Sequence, residues 1–318
     1  MIFIQQIIVH PIIFCKSNRS DDVRSIKKTF MNTISVYFCG MTKYKIFFPF
    51  LLLLLLSCNT STEKNSSNNT SNASSKKLNA PKPFPEFVQS LYEQVKQNPD
   101  STGLRLKLAS ALDSISAYSS ALLQMDTLLK KDSANFGLWY ANGEIAEDAK
   151  DTTRAMMSYA KAIGIYPSPD AMLSLANLYA EQKNKKALDI CRQVQQMSLG
   201  RDYDAHCAFI TGVYFARTHN KEKALSAFDN CIANDYTYMD AYIEKGLVYF
   251  DNKQFRDALN VFEMAATVNA LDSNPYYWQG RCYEMMNLRD SAILRLKQSL
   301  HLQEDSATHA ALKRLGAE

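Results

Sequence analysis

A chain of 318 residues that is 47% apolar can bury a substantial core, and with no alternating strand pattern beyond residue 85 it favours a single all-helical body. The net charge of +4 belongs to the N-terminal end: residues 1–57 hold seven of the 36 basic and two of the 32 acidic side chains, leaving 29 and 30, so the rest lacks the net basic stripe that nucleic acid requires of its partners. Seven scattered cysteines with no C-x-x-C pair indicate neither a zinc site nor a disulfide framework.

Residues 1–40 join an apolar run, MIFIQQIIVHPIIFC, to a basic polar stretch and hold nothing that reads as a folded unit. A clearer signal starts at Met41. Lys43 and Lys45 precede eleven apolar residues, Ile46 to Leu56, six of them consecutive leucines, and Leu55-Leu56-Ser57-Cys58 closes the run. A membrane-spanning helix takes roughly 20 apolar residues, so 41–57 reads as a signal peptide.

Leu55-Leu56-Ser57-Cys58 resembles the lipobox of bacterial lipoproteins, in which signal peptidase II cuts before the cysteine and the thiol is acylated. The resemblance implies that Cys58 is the lipidated first residue of the mature chain, and that 1–40 is a mis-annotated upstream extension. The alternative is a short apolar anchor that ends by chance in cysteine. By the same resemblance Asn59, in place of the Asp that retains some lipoproteins at the inner membrane, favours the outer membrane. The following Ser/Asn-rich segment, 58–85, has almost no apolar surface to bury and is expected to be a disordered tether, with a reach of roughly 25–30 Å.

From residue 86 to 318 the chain is organised by a 34-residue period, written most clearly over 239–306. Gly246 and Gly280 are 34 apart, as are Tyr242 and Tyr276, Tyr249 and Tyr283, and Ala258 and Ala292. That period is the mark of stacked helical hairpins. The template extends back as repeats 102–135, 136–168, 169–204, 205–238, 239–272 and 273–306. Small residues recur at one place in each first helix (Ala109, Gly143, Ala176, Gly212, Gly246, Gly280) and one in each second helix (Ala121, Ala155, Ala187, Ala224, Ala258, Ala292). Two helices 8–10 Å apart cross where side chains are small. The third copy lacks a residue between Tyr179 and Ala187 and gains several over Met197–Asp204, so a kink or protruding turn is expected there.

These positions, with Pro167 ending one repeat, resemble the tetratricopeptide repeat (TPR). The resemblance implies an all-α TPR superhelix, an α-solenoid of about six hairpins. Two flanking half-repeats are expected: Glu86–Asn98, with Phe87, Leu91 and Val95 on one face, and Ser306–Leu315, with Ala307, Ala310, Ala311 and Leu315 inward. Such ends cover apolar faces that a terminal repeat leaves open.

Catalytic and metal motifs are absent from this sequence, so no enzyme, cofactor or metal site is expected. His206 and Cys207 are neighbours on a helix and point about 100° apart. Cys191, Cys231 and Cys282 stand where small core groups belong. Recurrent Asp-Ser pairs, at 113–114, 132–133, 272–273, 290–291 and 305–306, read as helix caps.

The TPR resemblance places function on the concave face, at positions 2, 5, 9, 12 and 13 of each first helix. Carried onto this chain, these give an acidic half, with Asp113, Tyr140, Glu144, Glu147, Asp148, Leu173, Asn177 and Glu181. The other half is more apolar: Phe209, Val213, Arg217, Ile243, Leu247, Phe250, Tyr277, Arg281 and Glu284. Leu106 and Ser110 replace the Lys and Asn of the family's carboxylate clamp. Two readings of the apolar half stand: a surface for another protein, or residues covered by the C-terminal repeats. The leading function is a non-enzymatic, membrane-anchored adaptor that binds another envelope protein in assembly of an envelope complex. The alternative is a periplasmic module for a glycan or small ligand, stacked on Tyr140, Phe250 and Tyr277.

Overall fold

The computed structural model describes residues 84–317; the leader, Cys58 and the tether as far as residue 83 lie outside them. Of the two compact units into which the chain divides, the larger holds Ser90–Glu318, and the smaller is described only at residues 84–89, the start of the first helix. Among the described residues there are fourteen helices and no strand: α1 (Glu86–Gln97), α2 (Thr102–Ser114), α3 (Tyr118–Lys131), α4 (Phe136–Asp148), α5 (Thr152–Ile165), α6 (Pro169–Glu181), α7 (Lys186–Gln196), α8 (Arg201–Arg217), α9 (Lys221–Asn234), α10 (Met239–Asp251), α11 (Phe255–Val268), α12 (Ser273–Met285), α13 (Arg289–Leu302) and α14 (Ser306–Arg314). Helices α2 to α13 pair as six antiparallel hairpins, each second helix also packing on the first helix of the next hairpin.

All twelve small residues of the period are buried, and four of them explain why the hairpins close as they do. A methyl group built on Gly143 would stand 2.6 Å from the Tyr159 ring, on Gly212 2.5 Å from Phe228, and on Gly280 2.7 Å from Leu296, while Gly246 lies closer still to Phe262. The partner is always sixteen residues further on, at the middle of the second helix. Each large side chain therefore lies on bare backbone of the helix it faces, and each is buried: Tyr159 to 1%, Phe228, Phe262 and Leu296 to 0%. Where the first helix carries Ala109 or Ala176, the corresponding second-helix residue is Met125 or Cys191, flexible or small, which leaves room for the added methyl.

Each hairpin turn is built from a residue with positive φ: Ser116, Lys150, Lys183, His219, Lys253 and Asn287, all between 59° and 61°. The following N–H reaches back to the helix, Ala117 to Leu112 O at 2.9 Å, Asp151 to Ala146 O at 2.8 Å and Gln254 to Tyr249 O at 3.0 Å, for example. This is the Schellman closure of a helix C-terminus. Glycine usually holds that left-handed site, and none does here. At the N-termini, Ser101, Asn135, Asp151, Asn220, Asp272 and Asp305 accept backbone N–H groups with their side chains. Two of the Asp-Ser pairs thus cap as expected, whereas 113–114 sits at the C-terminus of α2.

The surplus of the third repeat is absorbed in two ways. Met197–Gly200 forms a turn with positive φ at Ser198 (52°) and Gly200 (105°), and Arg201–Asp204 add a first turn to α8, which reaches 17 residues against 11 in α7. Arg201 holds the extension in place by donating to Ala233 O at 2.7 Å. A second tie is polar: Arg154 Nη2 meets Asp126 Oδ1 at 2.6 Å and Asn142 Oδ1 at 2.8 Å, and buried Asn142 donates to Ser158 Oγ at 2.6 Å, joining α3, α4 and α5.

Both flanking helices present faces other than those expected. In α1, Val95 is buried and Phe87 is 51% exposed. In α14, Thr308, Ala311 and Leu312 are buried, with Leu315 half-buried, while Ala307 and Ala310 are exposed. The cap sets this phase: Asp305 binds the Thr308 N–H, and positions 308, 311, 312 and 315 then form the i, i+3, i+4, i+7 stripe.

Two stability outcomes follow. Gly246→Ala gains about 0.5–1 kcal/mol of helix propensity, but overpacking against Phe262 costs about 1–3 kcal/mol, so urea melts should show a net loss. The double variant Gly246→Ala/Phe262→Met, which recreates the Ala109 and Met125 pairing, should lose less than the sum of the singles; additivity would contradict the contact. Lys253→Gly relieves about 1–2 kcal/mol of left-handed strain against about 0.5–1 kcal/mol of added chain entropy. It should raise the urea midpoint slightly, and a lowered midpoint would contradict the turn geometry.

Candidate protein-binding face

Since each first helix packs on its own second helix and, after the first hairpin, on the second helix before it, the side that is left is what the array offers to a partner. Tyr140, Glu144, Glu147, Phe209, Ile243, Leu247, Phe250, Tyr277 and Arg281 are all partly exposed there. Val213, expected among them, is 1% exposed and belongs to the core with Phe228, Cys231 and Ala241. The reason is local: α8 packs on α6, α7 and α9 together, which encloses more of its circumference. Leu173, at 5%, is lost to the same core.

The middle of the face is held by one guanidinium. Arg217 at the end of α8 donates to Glu181 of α6 at 2.8 and 3.0 Å and to Glu244 of α10 at 2.9 and 3.1 Å, a fork on each side. Burial opposes its charge, but the hydrogen bonds to Glu244 and Glu181 outweigh that and hold the group well above its usual range. Three consecutive first helices are thereby tied through one side chain, and a planar fork suits arginine rather than lysine.

The acidic half is partly engaged within the array. Tyr159 donates its hydroxyl to Glu147 Oε2 at 2.9 Å. Tyr140 lies 5.9 Å from Phe136, stacked, and 5.7 Å from Tyr159. Burial first, then Glu144 and Asp170, push its phenol upward, with a hydrogen bond from Ser174 acting the other way. Its hydroxyl is a neutral donor beside carboxylates.

The apolar half is one aromatic assembly. Phe250 meets Trp278 edge-on at 5.5 Å, Trp278 stacks on Phe262 at 6.0 Å, and Tyr277 meets Trp278 at 5.2 Å. Ile243 and Leu247 pack into the same cluster, with Ala258, Leu259 and Cys282. Further back, Phe209 packs against Tyr238 at 5.1 Å. Tyr277 also leans on the core of α13 and α14, and Arg281 sets its Nε 2.8 Å from Glu284 Oε2. Trp278 organises this half and was missed from sequence, because it stands at position 6 of its helix, outside the positions carried over from the resemblance.

Chemistry is constrained by burial. Cys191, Cys207, Cys231 and Cys282 are free and buried. A hydrogen bond with Cys207, then burial, raises the Cys191 thiol, and burial pushes Cys282 up to about 12, so neither thiol supplies a thiolate nucleophile near neutral pH. Among the described residues no group of three or more His, Cys, Asp or Glu could hold a metal ion. In a cleft of about 330 Å³ between the α1–α2 turn and α3, Lys131 pairs with Asp100 and Arg105 donates to Gln124 Oε1.

Solved structures share this arrangement. A tetratricopeptide repeat protein from Parabacteroides merdae superposes with a TM-score of 0.60 at 16% identity, over 72% of this chain and 91% of that one. The fold is that of a TPR array. PilW, described as a widely conserved type IV pilus biogenesis factor, gives 0.54 at 15% identity, over 66% of this chain and 97% of its own. Yeast Tom70 gives 0.50 at 17%, over 72% and 57%. No family model and no curated protein matches the sequence. The all-α TPR solenoid implied by the resemblance is what the structure shows, with six hairpins and flanking helices.

The Arg217 bridge has a measurable weight. Its side chains are 32%, 35% and 18% exposed for Arg217, Glu181 and Glu244, between the surface pairs that contribute about 0–1 kcal/mol and the buried pairs whose breaking costs about 3–5 kcal/mol. Arg217→Ala should therefore cost about 1–3 kcal/mol in urea melts, with Arg217→Lys recovering only part of it. Equal stability of wild type and Arg217→Ala would show that the bridge contributes nothing.

Proposed function

We propose that this chain is a lipid-anchored TPR adaptor of a bacterial envelope, held through Cys58, that binds another envelope protein on its first-helix face and takes part in assembling an envelope complex. The observation that carries the reading is the run of partly exposed aromatic and aliphatic groups on consecutive first helices, Phe209, Ile243, Leu247, Phe250 and Tyr277. Partner hot spots are enriched in such residues, which exclude water when covered. Glu144, Glu147 and Arg281 supply the charged margin, which acts more on encounter rate and salt response. Support for the envelope comes from the Leu55-Leu56-Ser57-Cys58 ending and from the likeness in fold to PilW. A glycan module fits less well, because two of the rings that would stack on sugars, Phe250 and Tyr277, are already packed edge-on against Trp278.

Capture from detergent-solubilised envelopes, with the anchor intact, tests this. Phe250→Ala and Tyr277→Ala should each weaken capture by more than about 1 kcal/mol, with the helical signal in circular dichroism unchanged, whereas Glu144→Gln should mainly alter salt dependence. Normal capture by the aromatic variants with failure of the acidic one would assign binding to the acidic half and a basic partner. Intact mass of the same preparation should show a chain that begins at acylated Cys58; an unmodified cysteine on soluble protein would remove the anchor from the proposal.

A further inference from the structure

The turns that join one hairpin to the next carry a row of large, mostly exposed apolar side chains, of which Tyr166 also meets Phe136 edge-on at 5.8 Å. Tyr166 is 61% exposed, Leu199 43%, Tyr236 71% and Leu271 81%, with Met197 at 40% beside Leu199. They occupy four of the five turns between consecutive hairpins, those after α5, α7, α9 and α11. The six turns within hairpins lie at the other ends of the same helices and expose one such residue, Leu288. Single exposed apolar residues are ordinary. One in the connecting turn of four successive repeats, with the opposite turns as an internal control, is a surface.

Turn backbones along this edge are closed on themselves: Tyr166 N–H binds Ala162 O at 2.9 Å, Asp235 N–H binds Cys231 O at 2.8 Å and Tyr238 N–H binds Asp235 O at 3.2 Å. With the backbone so engaged, an added peptide strand finds no ladder to extend, and side chains alone project. Two are tyrosines, whose apolar ring and polar tip suit the boundary between lipid and water. Charge at the edge is mainly acidic, Asp170, Asp202, Asp204, Asp235 and Asp272 beside Arg201, so phosphate attraction is not what the row is built for.

The length of chain before the array chooses the occupant. Only 25 residues lie between Cys58 and Phe84, and a flexible chain of that length reaches roughly 25–30 Å. Resting on the reading of Cys58 as the lipidated residue, we infer that the inter-hairpin edge docks on the membrane surface, with Tyr166, Leu199, Tyr236 and Leu271 seated in the headgroup region. The first-helix face is then left for the partner.

Full-length lipidated protein in phosphatidylcholine vesicles tests the inference. An environment-sensitive fluorophore is attached at Leu271→Cys or, as control, at Glu222→Cys in the first turn of α9, the buried native thiols being inaccessible to label. Emission at position 271 should rise at least two-fold on reconstitution and be quenched by lipids carrying a nitroxide near the headgroup, while position 222 responds to neither. Tyr166→Ser with Tyr236→Ser should reduce the response at 271. A protein that floats with vesicles and shows no response at 271, or equal responses at both positions, overturns the docking and leaves the anchor standing. A response at 271 that grows with protein concentration without vesicles would give the row to a second copy and overturn it too. Protein that carries no lipid and does not float removes the anchor, and the inference falls with it.

Discussion

Everything in the array depends on how closely two helices of a hairpin can approach. Gly143, Gly212, Gly246 and Gly280 leave no room for even a methyl group against Tyr159, Phe228, Phe262 and Leu296. The contact is therefore a fit of bare backbone to a large side chain rather than a loose apolar layer. Because interiors are packed at crystal-like density, a fit of this kind fixes rotation as well as separation. Once the rotation of each first helix is fixed, so is the set of residues that it turns away from its partner.

That geometric step leads from folding to function. The side turned away carries Tyr140 and Glu144 near one end, Phe250 and Tyr277 near the other, and the Arg217 bridge between them. The bridge ties α6, α8 and α10 just where the third repeat departs from the period. A longer α8 and a positive-φ turn at Gly200 are accommodated without loss of stacking. A binding face gains from rigid support, since a partner then meets side chains that are already ordered.

Much of this was legible in the sequence, for a physical reason: a residue that must be small at a helix crossing repeats at the same place in every copy. Ala258 and Gly246 could be assigned without coordinates. Trp278 could not, since position 6 holds Glu244 one repeat earlier and Ile210 before that, and only packing shows that the three do different things. Arg217 and Glu244 are 27 residues apart on helices whose relative phase is set by the irregular repeat. Val213 was misplaced because a template position does not reveal how many neighbours a longer helix gathers. The hairpin turns escaped notice because Lys150, His219 and Lys253 adopt a conformation usually signalled by glycine. In α14, a run of alanines suggested the buried face, but the Asp305 cap rotates the helix so that Thr308 and Leu312 point inward.

The central claim is that the first-helix side of the array, and not its outer second-helix side, receives a protein partner. A photo-reactive phenylalanine analogue placed at Leu247, and in a parallel strain at exposed Asn260 on α11, tests it in living cells. Irradiation should yield a discrete adduct with another protein from position 247 and none from position 260. An adduct from position 260 alone would contradict the account and move the partner to the outer side.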